Sequence, residues 1–186
     1  MRQLLTALSA IVLLAYPFAV YYGIDKLGLS VIGLLLAVMF ALRIITASRT
    51  KLKEFKQLAA ISGLIGITLI ILGVVFRKEG WLMFYPVAVN ACMLLFFASS
   101  LKQPQTLIER LARLQEPDLP ASGVRYTRKV TQVWCLFFLF NGITALYTCF
   151  LPLEIWTLYN GLISYCLAGA LFTIEWLVRR SVRQHD

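Results

Sequence analysis

The chain has few of the side chains that catalysis and aqueous solubility require. Of its 186 residues 15% are charged and one, His185, is a histidine; a soluble domain carries about 25% charge. With 60% hydrophobic residues and a mean hydropathy of +0.77, too little polar surface remains to cover a water-soluble globule. An ordinary cytosolic enzyme is excluded on that ground. Disorder is excluded as well, because low-complexity tracts are missing and apolar content is high. The four cysteines, Cys92, Cys135, Cys149 and Cys166, lie inside apolar runs without C-x-x-C spacing. They read as small hydrophobes, not as a disulfide framework or a zinc site. The lone histidine, next to last in the tail, leaves no partner for a Ser-His-Asp or Cys-His arrangement. With no metal-ligand cluster and no Gly-rich phosphate loop, the expectation is a non-enzymatic chain without cofactor or metal.

Long apolar runs are what the chain does have. Six are long enough, or nearly so, to cross the ~30 Å hydrocarbon core as helices of about 20 residues. They are Leu4–Tyr22, Gly28–Ser48, Gln57–Phe76, Trp81–Leu101, Thr131–Leu151 and Ile155–Val178. The runs are continuous and not alternating, which favours helices over barrel strands. The first is too long for a signal-peptide core and no small-residue cleavage site follows it. The fold expected is therefore all-α, a polytopic integral membrane protein forming one six-helix domain over residues 1–186.

Basic residues set the expected orientation. Fifteen of the eighteen Lys and Arg fall at the N-terminus, the second connection (with Arg43 at the end of its helix), the fourth connection and the tail. Lys26, Arg77 and Lys78 are the other three. The positive-inside rule then places both termini in the cytoplasm. Because the cations are juxtamembrane and spread over four segments, anionic headgroups explain the net charge of +9. Nucleic acid is not an expected partner.

The connection at residues 102–130 is the one place with room for further structure. Thr106 to Glu109 has the form of a capping box, with Pro104 ahead as a helix starter. Leu107, Ile108, Leu111 and Leu114 then share one face, and Glu109, Arg110, Arg113 and Glu116 the other. This is either an amphipathic helix in the inner headgroup layer or a solvated linker helix. Pro117 to Gly123 is expected as a stiff turn. Beyond it Arg125, Arg128 and Lys129 cluster with Tyr126. They form either an orientation anchor with an aromatic belt residue or a site for a lipid headgroup or polyprenyl phosphate.

Polar residues within the spans are few. Asn90 and Asn141 fall near the middles of spans four and five, at similar depth, where each amide needs a partner on another helix or a solute. Arg43 and Glu175 lie about a turn from the expected cytoplasmic ends of their helices, where they either snorkel or pair with each other. A second group collects toward the outer face: Tyr16, Pro17, Tyr85, Pro86, Glu154, Trp156, Tyr159 and Asn160. Its Tyr and Trp are expected as belt residues. Tyr-Pro followed by Ala-Val occurs at both Tyr16–Val20 and Tyr85–Val89, the kind of pairing an inverted repeat would leave. Ala59, Ser62, Gly63 and Gly66 form small-x-x-x-small pairs, a device for close helix packing.

The stretch from Pro86 to Gly161 resembles the intracellular septation protein A family of small bacterial inner-membrane proteins. That family's Lys-Pro-Thr-x-x-Asn-like stretch is matched in frame by Pro86 and Asn90, with Tyr85 and Val87 in place of the Lys and Thr. Its later Trp-x-x-Phe-Phe-x-x-x-Gly-x-x-x-x-Tyr pattern is matched by Trp134, Phe137, Phe138, Gly142 and Tyr147. Leu151-Pro152 and Trp156 align with a third, Trp-led motif. Arg125 to Lys129, the Trp134 stretch and Trp156 to Tyr165 also look like an uncharacterised membrane-protein family encoded among aryl-polyene or fatty-acid-like biosynthetic genes. The resemblance implies cell-envelope biogenesis at the inner membrane. The expected role is an interaction or assembly module, with membrane lipids and envelope or lipid-biosynthesis proteins as partners. The alternative is a small carrier or flippase for a lipid-linked or amphiphilic solute. Shortage of intramembrane charge favours the module.

Overall fold

The structure, a computed structural model, describes Pro17, Phe18, Tyr21, Leu34, residues 36–38, 53–76 and 80–183. Most of the first two expected spans, with Tyr16 and Arg43, lie outside the described residues, as does His185. Every described element is helical: α1 (Lys53–Phe76), α2 (Gly80–Met83), α3 (Tyr85–Ser100), α4 (Leu107–Arg113), α5 (Ala121–Thr148), α6 (Leu153–Leu158), a π-helical turn (Tyr159–Ile163) and α7 (Ser164–Arg183). Three stretches are long and apolar enough to cross a membrane: Gly80–Ser100, Ala121–Thr148 and Leu153–Arg180. Large apolar side chains on their outer faces stay uncovered, among them Phe140 at 65% and Phe172 at 62% exposure. Faces of that extent need an apolar neighbour, and they fit a chain that associates with a membrane.

Local chemistry explains how the helices begin and break. Pro86 stands in the first turn of α3. A proline lacks the N–H that would continue the preceding ladder, so the Gly80–Ser100 stretch turns at Phe84. The Met83 carbonyl at this break accepts the Trp156 indole N–H at 3.0 Å and the Cys149 thiol at 3.2 Å. On α1 the buried face runs through Ser62, Gly63, Gly66, Ile70 and Gly73, where small residues let α2 and α3 approach closely. Ile70 joins Leu36, Leu82, Tyr85 and Trp156 in the apolar core.

Three expectations need correction. The helix containing span five begins at Ala121, ten residues before Thr131. Pro120 is its extended N-cap, and the Pro120 carbonyl accepts the Val124 N–H at 3.0 Å. The stiff turn therefore ends at Pro120, and Gly123 is helical. A Cβ there would meet Leu119 Cγ at 2.9 Å, so the glycine makes room for the side chain that closes the turn. Second, Tyr85 and Trp156 are not belt residues: they are 4% and 0% exposed, inside the core. Third, the two faces assigned to α4 are mixed. Leu114 is its C-cap and lies 65% exposed, while Glu109 is only 3% exposed. A buried carboxylate requires a partner, and Arg113 supplies one, its Nε 3.0 Å from Glu109 Oε1.

Candidate functional site

The ends of α3, α5 and α7 that adjoin the 102–120 connection are joined by side chains fixed on neighbouring backbone. Ser100 Oγ donates to the Phe97 carbonyl and accepts the Leu107 N–H at 3.1 Å, which sets the start of α4 against the end of α3. Thr106 Oγ1 accepts the Glu109 N–H at 3.3 Å, one half of the capping box. Arg113 Nη1 also donates to the Pro117 carbonyl at 2.8 Å, closing the turn toward α5. Held at both ends, α4 packs along α5 as a short roof.

Beneath that roof lies a cleft of about 470 Å³, inside the ~300–1,000 Å³ range of small-molecule pockets. Its walls are aromatic. Phe97 of α3 lies 5.1 Å from Phe138 of α5 and 6.4 Å from Trp134, centroid to centroid. Trp134 and Phe138 stand one helical turn apart on α5, their rings 5.6 Å apart. Leu107, Ile108 and Ala112 form the ceiling. Polar groups gather on one side, where Tyr126, Glu175 and Arg179 line the cleft. The Tyr126 hydroxyl donates to the Glu175 backbone carbonyl at 2.9 Å, drawing α5 and α7 together at this level. Apolar walls with a few convergent polar groups suit an amphiphile.

The basic cluster is divided by the structure. Tyr126 turns into the cleft. Arg128 Nη2 donates to the Leu101 carbonyl at 2.7 Å, where it caps the negative end of α3. Arg125 and Lys129 remain exposed, four residues apart and so on one face of α5.

Deeper in the bundle the expected intramembrane amides meet. Asn141 Nδ2 donates to Asn90 Oδ1 at 3.0 Å and to Ser164 Oγ at 2.9 Å, while Asn141 Oδ1 accepts the Tyr159 hydroxyl at 2.8 Å. Asn90 Nδ2 donates to the Pro86 carbonyl of its own helix. Gly142 lets α3 and α5 approach here, since a Cβ in its place would lie 3.1 Å from Asn90 Cβ. The π-helical turn explains how one helix reaches Asn141 twice. The Ser164 N–H bonds to the Tyr159 carbonyl, five residues back, which stacks Tyr159 and Ser164 one above the other. Asn160 bonds Thr148 Oγ1 at 3.0 Å and the Trp156 carbonyl at 2.9 Å. Glu154 of the outer-face group is exposed, whereas Pro17 packs near Gly161, whose absent Cβ would lie 3.4 Å from it.

Sequence patterning gave no sign of the cleft as a site. The available signal is the i, i+4 spacing of Trp134 with Phe138 and of Glu175 with Arg179, which puts each pair on one helix face. Among the described residues no three His, Cys, Asp or Glu side chains gather as a metal site. Comparisons with protein-family models, with curated proteins and with solved structures return no match, so the resemblance rests on the residues quoted for it.

Proposed function

We propose that the chain is a non-enzymatic, multi-pass protein of the bacterial inner membrane, with both termini cytoplasmic. It serves envelope or membrane-lipid biogenesis as an interaction and assembly module at the bilayer. The observation that carries this reading is the aromatic cleft roofed by α4, with Tyr126, Glu175 and Arg179 along one side. It lies in a chain whose long helices keep their outer faces apolar. A module of this kind holds lipid at the level of the headgroups and offers the 102–130 segment to proteins that make or move lipid. Arg125 and Lys129, exposed at the same end, add attraction to anionic headgroups of about 1 kcal/mol per residue.

The carrier alternative is less well supported. Asn90, Asn141 and Asn160 direct their hydrogen bonds to neighbouring helices and to their own helix backbone, as packing amides do. The discriminating experiment is cross-linking in intact membranes with a photoreactive residue at Leu114, followed by purification in mild detergent and mass spectrometry of attached proteins and lipids. Specific adducts to envelope or lipid-biosynthesis proteins are expected. Solute flux in proteoliposomes of the chain alone, abolished by Asn141→Leu at unchanged stability, would favour the carrier.

A further inference from the structure

The cleft under α4 has one wall that is charged in a particular way. Glu175 and Arg179 stand one turn apart on α7 and both line it. Residues of opposite charge at this spacing commonly pair. On the roof, Glu109 and Arg113 at the same spacing do close, to 3.0 Å. Glu175 and Arg179 form no such ion pair within 4 Å, although the guanidinium lies near enough for its charge to act on the carboxylate.

Arg125 and Lys129 point to solvent and do not line the cleft, and three other nearby cations are engaged elsewhere. Arg180 lies over the Trp176 ring, 4.7 Å from its centroid. Arg113 is held by Glu109 and Pro117, and Arg128 by Leu101. The side wall therefore offers one guanidinium and one carboxylate, side by side at the edge of an aromatic chamber. Tyr126 holds the helix turn that carries the carboxylate.

We propose that this cleft is a lipid-binding site for a zwitterionic phosphate–ammonium headgroup of the phosphoethanolamine class, with one acyl chain of the lipid between Phe97, Trp134 and Phe138. The assignment deepens the membrane-module reading and rests on it. Each part of the ligand answers a feature of the site. The chain replaces water against the aromatic walls and the Leu107, Ile108 and Ala112 ceiling. The phosphate takes the planar donor fork of Arg179, a geometry that arginine supplies and lysine does not. The primary ammonium donates to the Glu175 carboxylate. An anionic headgroup without an ammonium would satisfy Arg179 but set its charge beside Glu175, at a cost in affinity.

The test uses the full chain, purified in mild detergent and stripped of lipid. Native mass spectrometry then follows binding of palmitoyl-oleoyl phosphatidylethanolamine and phosphatidylglycerol, which have identical chains, added in equal amounts. Wild type should favour phosphatidylethanolamine by about fivefold, a modest difference of the size one charged contact supplies. Glu175→Gln, which keeps side-chain shape, should bring the ratio to parity by lowering phosphatidylethanolamine and raising phosphatidylglycerol. Arg179→Gln should lower both lipids. Ala112→Leu, which fills the ceiling, should lower both while circular dichroism and thermal midpoint stay near wild type. Parity in the wild type, or an unchanged ratio in Glu175→Gln, would overturn the headgroup assignment. Undiminished binding to Ala112→Leu would overturn the place assigned to the chain. The membrane reading is tested separately by carbonate extraction of native membranes. Release of the chain there would remove that reading, whereas retention combined with parity removes this inference alone.

Discussion

The Tyr126 hydroxyl donates to the Glu175 backbone carbonyl at 2.9 Å, a bond between residues 49 apart in the chain. It ties the first turns of α5 to the last turns of α7 and so fixes the width of the cleft at its polar side. Tyr126→Phe removes the donor and little else. The expected cost is about 1 kcal/mol of stability, read as a lower thermal midpoint in detergent. Lipid retention should fall further than that loss accounts for, because the side wall carrying Glu175 and Arg179 is no longer held.

Asn90 and Asn141 should be coupled. Each Asn→Leu change lowers stability in detergent, Asn141→Leu the more, since Asn141 also bonds Ser164 and Tyr159. The double variant should lose less than the sum of the two. A coupling of about 0.6–1.7 kcal/mol matches interhelical polar contacts in membranes. Strict additivity would argue that the two amides act independently.

Trp156 is fully buried and its indole N–H bonds the Met83 carbonyl at 3.0 Å. Trp156→Phe leaves a void and a carbonyl with one donor fewer, so a loss of roughly 2–4 kcal/mol is expected. Thermal unfolding followed by near-UV circular dichroism would measure it. A shift no larger than that of an exposed tryptophan such as Trp176 would contradict the core placement.

The three basic residues that follow the Pro117–Pro120 turn should separate. Arg128→Ala removes the cap on Leu101 and should destabilise the protein by about 0.5–1.5 kcal/mol. Arg125→Ala and Lys129→Ala should leave the thermal midpoint unchanged. Together those two should weaken retention of anionic lipid in salt titrations, since exposed charges are screened. An effect of Arg125→Lys on function at unchanged expression would point to bidentate phosphate contact by Arg125.

How far the fold was legible depended on the range of the interaction. The apolar runs act locally along the chain, and they marked Trp81–Leu101 and Ile155–Val178 to within a few residues of their helices. The Thr106 cap and the Glu109–Arg113 pair are likewise short-range and readable. Depth along two antiparallel spans was enough to bring Asn90 and Asn141 into one expectation, because hydrocarbon leaves an amide few other partners. Less legible were features set by helix rotation and by rare geometry. Nothing in the Tyr159–Ile163 segment announces a π-helical turn, so Ser164 as a partner of Asn141 went unforeseen. Burial of Glu109 follows from where the roof helix docks, and the cleft depends on three helices meeting Tyr126, Glu175 and Arg179 at one level. Periodicity within a single helix puts two side chains on one face and does not say which helices those faces meet.

Reporter fusions along the chain test the central claim, a multi-pass membrane protein with the α4 end and both termini in the cytoplasm. Alkaline phosphatase fused after Lys78 or after Pro152 should be active, as a periplasmic reporter is. Fusions after Lys53, Glu116 and Asp186 should be inactive as phosphatase and fluorescent as green fluorescent protein. An active phosphatase after Glu116 would put the cleft and its charged wall on the outer side and contradict the account.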